Sequence, residues 1–486
     1  MAKQTKIKTN FIYNLTYQIL AIILPLITAP YVSRVLGSHN VGVYSYTQAC
    51  AHYFFLFVML GVNNYGNRTI AGVRDDKENL GKTFWEIYTF QFLMGIVVTV
   101  AYLIYCLFFV KEDVLVSFLQ YMYVASGWFS INWLLFGLEQ FKLTTIRNIV
   151  VRLGMAVGVF LFVRTRADLP IYTAIIAGGN LLSVLVIWPF AIKHISFIKP
   201  SWKGITQHIK PNLILFWPVI AVSLYNIMDK LMLGMMSSKD EVGFYTYAEN
   251  IVQIPNTLIL ALDNVMLPRM ANLYATDKAE KATNLMHNVM MFAMMAAAAM
   301  AFGLAGVGPI FAPWFYGEAF ARCGLFIVML CPIIVFKGWA GALRTQYIIP
   351  KKKDKVFLVS LTSGAIVNLI INYLLIPKYQ GVGAVIGTIA AELSVAFIQF
   401  FMLRHEISLK RYLTNGISFC LIGAVMYVAV RLLSGINASA IITMGVQVVC
   451  GAIIYVVLAC GYMIATKQPA LVNEGLEMLR IKHRFK

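Results

Sequence analysis

Apolar positions fill this chain in long, nearly unbroken runs, and polar residues collect in the short stretches between them. About 20 consecutive apolar residues carry a helix across the hydrocarbon of a bilayer. Fourteen such runs can be marked: 11–36, 41–63, 84–110, 114–137, 147–163, 171–191, 212–236, 243–266, 288–307, 322–346, 356–376, 382–403, 413–432 and 438–464. Stretches such as "MMFAMMAAAAMAFGLAGVG" are continuous rather than alternating, so they fit helices and not barrel strands. The pattern predicts an all-α integral membrane protein with about fourteen transmembrane helices.

Composition points the same way. Of 486 residues, 60% are hydrophobic and 13% charged, with a mean hydropathy of +0.74. A soluble domain is nearer 45–50% apolar and about 25% charged, so a large soluble protein with a rich core is excluded. The start "MAKQTKIK" has the look of a charged signal-peptide region. The first run, however, belongs to the repeat described below, so it is expected to be retained. The seven cysteines show no CxxC pair and lie mostly within runs, which suits small apolar side chains better than a disulfide framework.

Lys and Arg collect on the cytoplasmic side of membrane proteins. With the N-terminus inside, most of the 40 basic residues fall in inside segments. The outside segments then carry only Arg34, Lys111, Arg164, Arg166, Lys239, Arg322, Lys378 and Arg431. Both termini, including the basic tail "RIKHRFK", are expected in the cytoplasm. The net charge of +19 is thus mostly a topology signal. No zinc-finger or RNA-binding signature accompanies it, so no nucleic-acid partner is expected.

One phrase occurs twice. "RVLGSHNVGVYSYTQA" near the start matches "KLMLGMMSSKDEVGFYTYAEN" later, with Gly42 and Gly243 lying 201 residues apart. The offset persists downstream, where Arg68 falls on Arg269 and Asp76-Lys77 on Asp277-Lys278. Upstream, the two Leu-Gly pairs are four residues out of register, which predicts a longer turn in the second copy. Six crossings separate the copies, so both have the same orientation. That predicts two pseudo-symmetric six-helix lobes, a parallel repeat around a central cavity, with two further helices at the C-terminus. The expected divisions are an N-lobe at 1–200, a C-lobe at 201–410, the last two helices at 411–466 and a cytoplasmic tail at 467–486. Such repeats are common in transporters that expose a site alternately to each side.

The chemistry available is limited. No Walker A sequence is present, no cofactor or metal site is suggested, and short outer loops argue against an enzyme such as a polytopic glycosyltransferase or polymerase. Ionisable residues within spans suggest function by default. The basic ones are Arg152, Lys230 and Lys337, joined by Arg34 at the outer end of the first run and, at the loop positions of the repeat, by Arg68 and Arg269. Together they suggest a wet cationic cavity for an anionic, phosphate-like group. Arg34 and Arg152 could equally snorkel to an interface, and Lys337 in "PIIVFKGWAG" could be structurally paired. Asp229, Glu249 and Asp263 are candidates for ion coupling, while Glu392 is a further acidic residue within a span. Tyr44, Tyr46, Tyr245 and Tyr247 offer faces and hydroxyls to sugars, or serve helix packing. His52 suits a hydrogen-bonded packing residue. Pro25, Pro30, Pro218, Pro255 and Pro332 supply kink points.

Several stretches resemble the Wzx-type oligosaccharide flippases of the multidrug/oligosaccharidyl-lipid/polysaccharide exporter superfamily. They are "NFIYNLTYQILAIILPLITAPYVSRVLGSHNVGVYSYTQA", "LGVNNYGNRTIAGVRDDKENLGKTFWEIY", "WLLFGLEQFKLTTIRNIV" and the region from "PNLILFWPVIAVSLYNIMDK" to "LPRMANL". The resemblance implies a bacterial cytoplasmic-membrane protein with helices 1–6 and 7–12 in two lobes. It implies a cargo of undecaprenyl-pyrophosphate-linked repeat units, moved from the inner to the outer leaflet for surface polysaccharide, with polymerase machinery as a partner. Carrying the cavity arginines of related lipid II flippases onto this chain points to Arg34 first and Lys230 second. One departure is Asn132-Trp133, where many relatives carry an acidic residue before the tryptophan. If that carboxylate couples ion movement in the relatives, the same coupling is not expected here. The same superfamily includes small-molecule/cation antiporters, but those are expected to line their cavities with acidic groups.

Overall fold

The computed structural model describes residues 2–276, 278–435 and 438–466, and among these every regular element is a helix. Helices satisfy their own backbone groups, as hydrocarbon requires. Ten helices are long and apolar enough to cross a membrane, or twelve if each of two bent pairs is one span. The chain is an all-α, multi-pass membrane protein. Fourteen crossings are not established by this count. The first expected span and most of the second fall in one long helical element, and the tail at 467–486 lies outside the described residues.

The chain divides into two compact units, Met1–Gly234 and Met235–Lys486. This division follows packing, whereas the expected lobe boundary at 200/201 follows the repeat. The first unit begins with α1 (Ala2–Met59), interrupted at Gly37, whose φ of 78° and ψ of 172° are not helical. Next come α2 (Val62–Val73), α3 (Lys77–Ile104), α4 (Val114–Phe129) and the one-turn α5 (Asn132–Gly137). They are followed by α6 (Phe141–Phe162), α7 (Leu169–Leu185), the short α8 (Trp188–Ile192) and α9 (Trp202–Met236). Asp76 starts α3 by accepting from the backbone N–H groups of Glu78 and Asn79 at 3.0 and 3.2 Å.

The core of this unit gathers Val62, Ile70, Phe84, Ile87, Trp133 and Leu134, with Ile205 and Phe216 from α9. Two glycines make that packing possible. At Gly66 a Cβ would lie 2.6 Å from the Trp133 ring. At Gly61 it would lie 2.8 Å from the Asn212 carbonyl oxygen, and the backbone there also has φ 81°.

The second unit contains α10 (Lys239–Ala275), α11 (Ala279–Tyr316), α12 (Ala321–Leu330) and α13 (Pro332–Leu343). It continues with α14 (Asp354–Tyr379), α15 (Gly381–Met402), α16 (Leu409–Leu432) and α17 (Ala440–Ala465). In hydrocarbon, close approach of small residues does much of the work of helix association. Accordingly Gly338 meets Ala297, Gly416 meets Trp339, and Gly306 meets Val430. Glu241 joins three helices, taking Arg322 at 2.9 Å and the backbone N–H of Gly381 at 2.9 Å. The segments on either side of Cys331 bend by 42°, with Pro332 opening the second. Segments of α9 bend by 52° beyond Leu224, six residues past Pro218.

The repeated phrase sits at a helix junction in both units. In the first, Gly37 alone makes the break. In the second, the helix runs through Gly234 to Met236, and Ser238 then caps α10 through the Glu241 N–H. The later break accounts for the register difference between the two Leu-Gly pairs. Asp277, the partner of Asp76 in the repeat, lies outside the described residues.

Two tests follow from this packing. Gly61→Ala combines a left-handed backbone, costing about 1–2 kcal/mol for an L-residue, with contact against the α9 backbone. It is expected to lower the melting temperature and the monodisperse fraction in detergent, whereas Gly72→Ala, which meets nothing within 4 Å, is expected to leave both unchanged. In the loop after α15, Glu406 accepts from Lys353 at 2.6 Å and from the Tyr347 hydroxyl at 2.7 Å. The lysine, then the tyrosine, hold its carboxyl below the usual range. A depressed carboxylate stabilises the fold above its unfolded-state value, and that contribution is lost as pH falls through the folded-state value. Glu406 is 38% exposed, so the effect is small. The native melting temperature is expected to drop slightly more than that of Glu406→Gln as pH falls from 6 to below 4.

Candidate functional site

Between α4 and α5 the helix stops, and the carbonyls it frees must find donors inside the membrane. Gln91 of α3 supplies them. Its Nε2 donates to the Gly127 and Ser130 carbonyls at 2.6 and 3.0 Å, and its Oε1 accepts from the Trp133 indole at 3.1 Å. Trp188 donates to the Phe129 carbonyl at 3.0 Å. Gln91 and Trp133 are both fully buried. The interruption is therefore a fixed feature, and it aims Asn132 at α6.

Arg147, 8% exposed, receives it. Its Nη1 donates to Asn132 Oδ1 at 3.0 Å, while Nε and Nη2 donate to Asn148 Oδ1 at 3.1 and 2.6 Å. Arg147, Asn148 and Arg152 of α6 line one polar cavity with Asn132, Tyr123, Ser126, Ser130, Asn180 and Ser183. Its volume is about 260 Å³. At about 30 Å³ for each water-sized group, it accommodates a phosphate group or a single sugar ring, not an oligosaccharide. Arginine forks, amides and hydroxyls together suit an anion rich in oxygen. Among the described residues, no group of three His, Cys, Asp or Glu is placed to hold a metal.

The expected site residues are distributed unevenly. Arg152 lines the cavity. Lys230 lies close enough to act electrostatically on His52, whose Nδ1 is 2.8 Å from the hydroxyl of the cavity residue Tyr123. Asp229, 2% exposed, acts similarly on Tyr53, and the Tyr53 hydroxyl donates to the Ser223 carbonyl of α9 at 3.3 Å. Arg34 is exposed and turns back to donate to the Pro30 carbonyl at 3.1 Å. Arg68 on α2 and Arg269 on α10 are exposed.

In the second unit Lys337 pairs with Glu392 at 3.0 Å, the two side chains being 24% and 4% exposed. Asp263 is fully buried beside Thr345, Gln346 and Arg344, and Glu249 is half-buried on α10. The tyrosines are packed. Tyr44 meets Tyr172 edge-on with centroids 4.8 Å apart, and Tyr46 lies against Gly234. Tyr245 is fully buried with its hydroxyl 2.9 Å from Thr388 Oγ1. Tyr247 stacks on Tyr316 at 4.6 Å.

The site residues that sequence reasoning missed are Arg147 itself, Asn148 and Asn180, while Asn132 was noted only as a departure and not as a partner of Arg147. The available signal was a pair of arginines five residues apart in an apolar helix, with an asparagine fifteen residues upstream.

A family model described as polysaccharide biosynthesis protein matches residues 7–274, more than half of the chain. The chain belongs to this family. A protein of Escherichia coli (strain K12) named "Putative O-antigen transporter" is 23% identical over 407 residues, covering 82% of this chain and 97% of that protein. Among solved structures, the lipid II flippase MurJ in an inward closed conformation superposes with a TM-score of 0.72 at 15% identity, covering 94% of this chain and 98% of that one. An outward-facing MATE multidrug-resistance transporter of the MOP superfamily gives 0.52 at 14% identity, covering 84% and 95%. The fold of this family member is therefore that of the MurJ and MATE proteins, and the named relatives are transporters rather than enzymes.

Gln91→Leu tests how the site is built. It leaves the Trp133 indole and the Gly127 and Ser130 carbonyls without their side-chain partner, at about 1–3 kcal/mol for each buried group left unsatisfied. The expected result is a melting temperature lower by several degrees, with Gln91→Glu falling between this variant and the native chain.

Proposed function

We propose that this protein is a flippase. It would move undecaprenyl-pyrophosphate-linked oligosaccharide repeat units from the cytoplasmic to the outer leaflet of the bacterial cytoplasmic membrane by alternating access. The observation that carries this reading is the arginine-lined cavity of the first unit, in a chain of the polysaccharide biosynthesis family. Arg147 and Arg152 would take phosphate oxygens together with the neighbouring amide and hydroxyl donors, and the sugars would lie beyond this cavity. The named O-antigen transporter and the MurJ fold support the lipid-linked cargo, and the Lys and Arg distribution supports cytoplasmic termini. Asp229, Glu249 and Asp263 are the candidates for an ion that drives the cycle. Arg34, Arg68, Lys230, Lys337 and Arg269 are candidates for headgroup contacts at other stages. Polymerase machinery would consume the product outside.

Asn132 gives the reading its sharpest form. A neutral amide orients Arg147 without cancelling its charge, whereas a carboxylate at that position would form an ion pair and compete with an anionic cargo.

The test is surface polymer in a strain lacking the protein, complemented at equal membrane abundance. Hydrogen bonds to charged groups contribute about 1.5–3 kcal/mol, or roughly 10–100-fold. Asn132→Asp and Arg147→Ala are expected to cut surface polymer to a tenth or less, with lipid-linked units accumulating inside. Arg147→Lys, which keeps the charge but loses the fork, is expected to fall between. Full restoration by both Asn132→Asp and Arg147→Ala would refute the anion site.

A further inference from the structure

The polar cavity has an apolar neighbour. A groove of about 730 Å³ runs along α6 and α7, lined by aliphatic and aromatic residues such as Val150, Leu182 and Phe190. Arg147, Val151 and Met155 line both this groove and the polar cavity. One buried guanidinium thus stands where an apolar channel about 730 Å³ in volume meets a polar chamber of about 260 Å³. That is the outline of a single amphiphile, an apolar chain ending in an anion.

The glycines of the groove support the same reading. Gly154 and Gly158 are spaced as in helix-dimerisation motifs, where glycine lets two helices touch. Gly158 does approach Ile175, at 3.5 Å from a Cβ placed there, and Gly179 is closed off by Met155. Gly154 is different. A Cβ there would meet nothing within 4 Å, although the residue lines the groove. The space above it is left open by the protein.

We infer that the α6–α7 groove holds the phosphate-proximal part of a polyprenyl chain whose phosphate sits at Arg147. This inference rests on the lipid-linked cargo proposed above and adds the element that receives the lipid. At roughly 30 Å³ for each water-sized group, the groove takes about two dozen carbons, or about five isoprene units, so the rest of a long chain stays in the bilayer. Lipid tails are as apolar as the groove, so no hydrophobic force draws the chain in. Selectivity comes from van der Waals fit along the glycine side and from the phosphate anchored at one end.

The experiment uses the full chain in nanodiscs and a polyprenyl diphosphate with a photoreactive group in its first few isoprenes. Labelled peptides are mapped by mass spectrometry. Photoreactive phosphatidylglycerol at equal mole fraction serves as the ordinary-lipid probe, and inorganic pyrophosphate as the headgroup-only competitor.

Labelling is expected to fall on α6 and α7 and to exceed that by phosphatidylglycerol. Filling the groove by Gly154→Phe, or independently by Val150→Trp at an exposed position, is expected to reduce it about tenfold, since only packing is lost. Gly154→Ala is expected to label as the native chain does. Elution profile and melting temperature establish that each variant is folded, and the two filling variants guard against a defect particular to either.

If phosphatidylglycerol labels the groove equally, it is annular surface and the inference is overturned. If the filling variants label normally while Arg147→Ala abolishes labelling, the phosphate site stands and the groove assignment is wrong. If the polyprenyl probe labels nothing and pyrophosphate does not protect Arg147 from modification, both the groove and the lipid-linked reading fail together.

Discussion

The first unit depends on how a broken helix is made tolerable inside a membrane. Between α4 and α5 the backbone gives up its own hydrogen bonds within a helix pair long and apolar enough to span a membrane, and the freed carbonyls need other partners. Gln91 answers with a primary amide whose donors take the two freed carbonyls and whose oxygen takes the Trp133 indole. Trp133 in turn needs Gly66 beneath its ring and Phe84 beside it, with centroids 5.4 Å apart. Capping, core packing and the aim of Asn132 are therefore one construction. A helix that ran straight on would have spared these side chains, but it would not have turned Asn132 toward Arg147.

The electrostatics follow from that geometry. A guanidinium in hydrocarbon must be hydrogen-bonded, and a carboxylate would be the simplest partner for it. Lys337 has that solution, with Glu392 at 3.0 Å. Arg147 is held by the amide oxygens of Asn132 and Asn148, which fix the fork without cancelling its charge. Two intramembrane cations are thus held in different ways, Lys337 by a carboxylate and Arg147 by amide oxygens among its partners. The contrast also gives physical content to the departure at Asn132, which the sequence presents only as a missing acid.

The helical, membrane-spanning nature of the chain was legible because hydrocarbon length is read directly from apolar runs. The cap that Asp76 places on α3 came from the structure, since the sequence offered that residue only as a match in the repeat. The candidate site was only half legible. Arg152 stood out because it lies well inside an apolar run, whereas Arg147 sits close to the start of one and looks like an interfacial residue. Its importance comes from Asn132, which reaches it only because the helix breaks at Ser130–Ile131, and no proline or glycine marks that break. Lys337 illustrates the converse. Its partner Glu392 is 55 residues away on another helix, and spacing within one helix cannot reveal such a pair.

The repeated phrase also finds its physical meaning. In the first unit the chain turns at Gly37, and the Tyr44 that follows packs on Tyr172 of α7. In the second it turns at Ser237–Ser238, and the Tyr245 that follows bonds to Thr388 of α15. Helix α7 holds most of the sixth expected span and α15 nearly all of the twelfth, so each copy of the phrase sets the same step within its own unit: break, restart, then lock the restarted helix onto the sixth of its set. The junctions differ, one residue against two, while the aromatic lock is kept. A turn can be made in several ways at little cost, but a ring buried against a particular helix cannot be moved without repacking its neighbours. The phrase is thus an instruction for building a unit. The polar cavity of the first unit is set elsewhere, where the structure joins Arg147 to Asn132 and places Arg152 on the same lining.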